Sequence, residues 1–94
     1  MLSCERLERK IFRIEGFEVT IRHSDGRDVH GDKQGLPTFP YQKGAKNDFT
    51  VAQWRDQRFK QVYPGYKVTV WLQDGSQASG VTKLATVRHT YLDD

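Results

Sequence analysis

The chain writes one stretch twice. GFEVTIRHSDGRDVHG (residues 16–31) aligns without a gap on GYKVTVWLQDGSQASG (residues 65–80), at a constant offset of 49. Gly16/Gly65, Val19/Val68, Thr20/Thr69, Asp25/Asp74, Gly26/Gly75 and Gly31/Gly80 are identical, while Phe17/Tyr66, Ile21/Val70 and Val29/Ala78 keep their character. Self-similarity at a fixed offset marks each copy as one supersecondary unit. Each copy reads as a β-hairpin. Phe17, Val19 and Ile21 alternate with Glu18, Thr20 and Arg22, and Tyr66, Val68 and Val70 alternate with Lys67, Thr69 and Trp71. Such alternation marks a strand with one buried face, and the Asp-Gly that follows each run is the strongest short hairpin signal. A three-residue loop, Ser24-Asp25-Gly26, sets Val29 opposite Ile21, and its counterpart sets Ala78 opposite Val70. A two-residue loop would instead set Val29 opposite Arg22. Because register follows the apolar pattern, the three-residue loop is expected, with Gly26 and Gly75 supplying the positive φ.

With 94 residues, the chain is expected to form one domain with a single core and no need of covalent staples. The lone Cys4 excludes an internal disulfide and offers no CxxC metal pair. Charge is unevenly spread: residues 1–32 carry 6 basic and 7 acidic side chains, residues 33–92 carry 9 and 3. The second part is mildly basic, yet it contains no run of basic residues, which is the pattern of an ordinary solvated surface. No stretch approaches the roughly 18 apolar residues of a membrane span, and residues 1–10 are too charged for a signal peptide. A cytoplasmic protein with no membrane partner is expected.

Residues 1–15 read as an N-terminal extension. Ser3 suits a helix N-cap, with Leu7, Ile11 and Ile14 at i, i+4 and i+7, but the alternation of Phe12 and Ile14 suits a strand equally. Gly16 shifts that alternation by one, which calls for a bulge or a break there. Residues 32–48 contain Gly35, Pro37, Pro40 and Gly44, which argue against regular structure. Leu36, Phe39 and Tyr41 are too apolar for a free linker, so an ordered loop pinned by these three is expected.

The clearest helix spans residues 49–63. Thr50 and Gln53 form a capping box, and Phe49 and Trp54 occupy the positions of a hydrophobic staple. On a helical wheel Val51, Ala52, Phe59, Val62 and Tyr63 cluster, Trp54 sits at the edge, and Arg55 breaks the apolar side. Residues 82–91 suit a strand by their β-branched content and a helix by Leu84, Val87 and Tyr91. By analogy with the first copy a helix is expected, capped by Thr82, with Arg88 among its apolar positions. The expected architecture is thus α+β, an internally duplicated ββα unit (16–64 and 65–94): a four-stranded antiparallel sheet with two helices packed on one face.

The phrases DGRDVHGDKQGLPTFPY, TVAQWRDQRF, YPGY and TKLATVRHTY resemble a group of small uncharacterised proteins encoded by mobile integron gene cassettes, over about residues 16–91. None of these phrases is a catalytic motif. The resemblance implies neither an activity nor site residues.

Candidate chemistry is sparse. Asp28, His30 and Asp32 share one strand face and are types that bind metals, but no enclosing geometry or second shell is readable, so no metal and no cofactor are expected. His23, His30 and His89 stand near no nucleophile signature, and Cys4 is terminal. No catalytic residue is assigned, and an enzyme is not the expected class. Two features stand out as binding candidates. Arg55 and Arg88 interrupt the apolar sides of two helices, either as snorkelling side chains or as guanidinium forks aimed at one small anion or an enzyme's substrate. Trp71 leaves its strand on the face of Lys67 and Thr69, either covered by Leu36, Phe39 and Tyr41 or free to meet a partner. The expected function is a small non-enzymatic protein-interaction module, self-associating as a homo-oligomer through Trp71. The alternative is single-stranded nucleic-acid binding, with bases on Trp71 and phosphates on Lys67, Arg22, Lys43 and Lys46. The modest charge favours the first.

Overall fold

The computed structural model describes residues 3–27, 29 and 35–92. Three helices pack around a two-stranded antiparallel sheet. Helix α1 (Cys4–Glu15) leads into strand β1 (Glu18–His23). A long loop precedes helix α2, which runs as Val51–Trp54, a π-helical stretch Arg55–Phe59, and Lys60–Val62. Strand β2 (Tyr66–Trp71) and the short helix α3 (Leu84–His89) follow.

The four-stranded sheet and the twofold ββα plan are not what forms. The two loops themselves have the expected register. His23 N–H donates to Arg27 O at 2.7 Å and Val29 N–H to Ile21 O at 3.1 Å; Leu72 N–H donates to Ser76 O and Ala78 N–H to Val70 O, both at 2.8 Å. Gly26 and Gly75 have φ of 93° and 89°. Val29 is the one described residue of the first arm beyond Arg27, and the second arm carries one buried apolar residue, Ala78, before Ser79 and Gly80. Only the isolated bridge Trp71↔Gln77 survives of the second arm. The strands β1 and β2 pair with each other, Val19 opposite Val70, Thr20 opposite Thr69 and Ile21 opposite Val68. Val19, Ile21 and Val70 face the core, and Thr20, Arg22, Lys67 and Trp71 share the other face.

Residues 4–15 are helix, not strand. Ser3 accepts from Arg6 N–H at the N-terminus, and Gly16 ends the helix in the left-handed region at φ 86°, its N–H returning to Phe12 O. The Gly16 discontinuity is therefore a helix stop. Cys4, Leu7 and Ile11 are fully buried, so α1 belongs to the core and is no appendage. On the edge of β1 away from β2, Glu8 Oε2 accepts the Ile21 N–H at 2.7 Å.

Helix α2 starts on the expected capping box, Thr50 and Gln53 each bonding the other's backbone. Its first two N–H groups, orphans in an isolated helix, donate to Thr82 O and Gly80 O. Trp54 is not at the edge of the buried side but at its centre, 0% exposed, with Phe59 also at 0%. Residues five apart stand about 140° apart on an α-helix. The widened turn reduces that offset, with Lys60 N–H donating to Arg55 O, and it is Arg55 that begins the turn. The irregularity at Arg55 in the sequence is thus a change of helical period. Trp54 meets the edges of Phe17 at 5.1 Å between centroids; its indole N–H is buried without an acceptor among the described residues, so shape alone holds the ring.

The loop before α2 is pinned as expected at Leu36 and Phe39, both buried, and Tyr63 Oη donates to Pro37 O at 2.8 Å. Tyr41 is only half-buried. Helix α3 forms where a helix was expected, but its cap position is Lys83, with no side-chain cap, and not Thr82. Segment 80–85 is instead tied to 47–52 by backbone bonds from Val51, Ala52, Leu84 and Ala85.

Thr50→Ala removes an acceptor from the first turn of α2. It is expected to lower stability by about 1 kcal/mol, read as a lower urea midpoint at unchanged slope; an unchanged midpoint would show that the tie to segment 80–82 alone starts the helix.

Candidate functional site

Around its axis α1 presents three arcs. Cys4, Leu7, Ile11 and Glu15 face the core. Arg6, Arg9, Lys10 and Arg13, at i, i+3, i+4 and i+7, form a basic arc. Between the two lie Glu5, Glu8 and Phe12, which turn toward the open sheet face and enclose a cleft of about 220 Å³ with Glu18, Thr20 and Trp71. Phe12 is 38% exposed although it is large and apolar, and it meets Tyr91 edge-on at 5.6 Å.

Trp71 therefore does leave its strand opposite the core. It is half-buried in the cleft wall, away from Leu36 and Phe39. Its indole N–H donates to Thr20 Oγ1 at 2.8 Å, while its carbonyl accepts from the Tyr91 hydroxyl. The same hydroxyl accepts the Glu18 N–H at 3.1 Å, so Tyr91 clips the end of the sheet beside the cleft.

The basic partners proposed for Trp71 are not gathered around it. Arg22 Nε is engaged by Thr69 Oγ1 at 2.7 Å, Lys67 lies across from Arg22, and Lys43 and Lys46 sit on the loop before α2. None of these lines the cleft, which holds three carboxylates and the single guanidinium of Arg9. A stacking platform for nucleic acid needs the opposite sign.

Arg55 and Arg88 are not brought together. Arg88 reaches from α3 across the C-terminal end of α1, and four of its N–H donors are taken. Nε donates to Glu15 O at 2.6 Å, Nη1 to Ala45 O and to Asn47 Oδ1 at 2.7 Å each, and Nη2 to Glu15 Oε1 at 3.1 Å. Burial pulls this guanidinium below its ordinary range, and the Glu15 charge opposes the shift. Glu15, with a wholly buried side chain, also accepts from Ala45 N–H at 2.9 Å and from Arg58 Nη1 at 2.8 Å. Arg58 in turn donates to Lys43 O and lies over the Tyr41 ring at 4.2 Å. Arg88 is thus spent on the protein itself.

Arg55 stands elsewhere, beside a surface hollow of about 210 Å³ that it lines with Lys60, Lys67 and Val68. Of the other residues singled out in the sequence, Asp28, His30 and Asp32 lie outside the described residues. His23 stacks obliquely near Tyr66 at 6.1 Å, and His89 closes the last turn of α3.

No protein-family model, curated protein or solved structure matches this chain. Among the described residues no helix is long and apolar enough to cross a membrane.

Sequence reasoning passed over Phe12, Glu15, Arg58 and Lys60. A signal existed for Glu15: it continues the Leu7-Ile11 stripe at i+8, and a carboxylate on an apolar stripe demands a buried partner. Phe12 gave its signal in reverse, as an aromatic off that stripe.

Cys4 is fully buried, and burial with the neighbouring Glu8 carboxylate raises its thiol to about 11. Thiolate is the reactive form, so the native protein is expected to resist an aromatic disulfide reagent at pH 8 and to release one equivalent of thiol only on unfolding. Rapid reaction of the folded protein would show that the first turn of α1 opens.

Proposed function

We propose that the protein is a small non-enzymatic protein-interaction module of the cytoplasm, and that it associates with a second copy of itself through the cleft of Phe12 and Trp71. The observation that carries this reading is the exposed Phe12 ring standing beside the half-buried Trp71 at the mouth of a cleft large enough for an aromatic side chain. Aromatic anchors in a partly enclosed pocket are the usual centre of binding energy at protein contacts.

Charge favours a second copy as the occupant. The acidic rim (Glu5, Glu8, Glu18) and the basic arc (Arg6, Arg9, Lys10, Arg13) lie side by side on and around α1. A twofold contact is self-complementary: what one copy offers, the other receives. An axis crossing α1 sets each acidic rim against the other copy's basic arc, and each Phe12 against the other copy's cleft. Complementary fields of this kind fix register and suppress wrong pairings. The resemblance to integron-cassette proteins carries no activity and accords with a module of this class, so membership of that group is part of the same proposal.

Light scattering across a dilution series tests it. Wild type is expected to approach twice the 10.9 kDa chain mass on concentration, and Phe12→Ser to weaken association by about a thousandfold, the loss of two symmetry-related contacts worth about 2 kcal/mol each. Phe12→Ser changes a surface residue, so its circular-dichroism spectrum should match wild type. Trp71→Phe keeps the ring and should retain more of the association. Monomer mass at every concentration, or an unaltered series for Phe12→Ser, would overturn the reading.

A further inference from the structure

We propose that Arg55, Lys60 and Lys67 form a binding site for a phosphate monoester, separate from the Phe12–Trp71 cleft. The three cations come from two turns of α2 and from β2, and they line one hollow of about 210 Å³ with Val68 as its apolar wall. The π-helical stretch is what places them. It compresses the angle between residues five apart, so that the same widening that stacks Trp54 over Phe59 inside the protein stacks Arg55 over Lys60 outside it.

These cations keep their donors. Among the described residues no side-chain hydrogen bond engages any of the three. The carboxylate beside them is Asp56, whose Oδ1 lies 3.6 Å from Arg55 Nε and 3.8 Å from Lys60 Nζ, beyond hydrogen-bonding reach. Three positive groups and one negative leave an excess of two, matched by the charge of a phosphate monoester near neutral pH. The guanidinium fork suits two phosphate oxygens at once, and the ammonium groups act as movable point charges. Arg55 is half-buried, its side chain 36% exposed, while Lys60 and Lys67 stand in solvent at the rim of the hollow.

Two other basic places among the described residues do not offer this. The guanidinium of Arg88 is consumed by Glu15, Ala45 and Asn47. The basic arc of α1 spreads its cations along one helix face, with Arg9 tied to Glu5 at 2.7 Å and Lys10 to Thr38. Arg55, Lys60 and Lys67 differ in combining two chain segments, an excess charge of two and an apolar wall.

Titration of ¹⁵N-labelled protein with inorganic phosphate, at ionic strength held constant with chloride, tests the assignment. Saturable shifts are expected at residues 55–60 and 67–68. Arg55→Gln and Lys60→Gln, both at positions outside the core, are each expected to raise the phosphate Kd by about tenfold while leaving the remaining amide spectrum in place. Phe12→Ser is expected to bind phosphate as wild type does, which separates this site from the self-association surface. Adenosine monophosphate and a phosphoserine peptide, titrated alongside, report by relative affinity whether the phosphate belongs to a small metabolite or to a protein. Shifts that do not saturate, that fall equally on Arg6, Arg9, Lys10 and Arg13, or that persist unchanged in Arg55→Gln would overturn it.

Discussion

The carboxylate of Glu15 has no contact with solvent, and four parts of the chain close on it. Its oxygens accept from Ala45 of the long loop, Arg58 of α2 and Arg88 of α3, and it stands at the last residue of α1. Burying a lone carboxylate is prohibitive, and a buried ion pair is tolerable only when the remaining donors and acceptors are also met. Here they are: the two guanidiniums direct their other N–H groups at the carbonyls of Glu15, Lys43 and Ala45 and at Asn47. The arrangement demands a residue without a side chain beside it. A Cβ at Gly44 would stand 2.9 Å from Arg88 Nη2 and 3.0 Å from Ile14 O. Among the described residues the sheet has two strands, and the three helices and the long loop meet around it. The Glu15 cluster ties α1, the long loop, α2 and α3 to one another.

What could be read in the sequence was local. The loop register at Gly26 and Gly75, the Thr50–Gln53 box and the Ser3 cap each depend on residues within a few positions of one another, and each formed. The sheet is not legible in the sequence because its central pairing joins residues 49 positions apart, Thr20 with Thr69. Each strand has two edges: one meets Val29 or Ala78 of its own return arm, and the other pairs with the distant strand. Arg88 was recognisable as an irregularity in an apolar pattern, but its partner lies 73 positions away. The disturbance at Arg55 was equally visible. A wheel drawn at the α-helical period cannot show that the period itself changes there.

That fold leaves α1 with two exposed arcs of opposite character, and α2 with a row of cations stacked by its wide turn. Both arise from how the core is satisfied. Once Cys4, Leu7, Ile11 and Glu15 point inward, Phe12 must point toward the sheet's open face, where Trp71 stands. Once Trp54 and Phe59 share the buried side, Arg55 and Lys60 must share the outer one. Self-association at the first place and phosphate binding at the second would thus be built on residues that the packing has already oriented, with little further ordering to offset.

The urea midpoint of Glu15→Gln measures most directly how far the Glu15 carboxylate holds the fold together. The substitution keeps the shape and removes the charge, leaving Arg58 and Arg88 facing a neutral amide in a largely buried setting. The stability lost should be about 3–5 kcal/mol, the cost of breaking a buried ion pair from one side, which is a large share of what a small domain has. A loss within about 0.5 kcal/mol, as for an ordinary surface position, would contradict the claim that this carboxylate holds the helices in place.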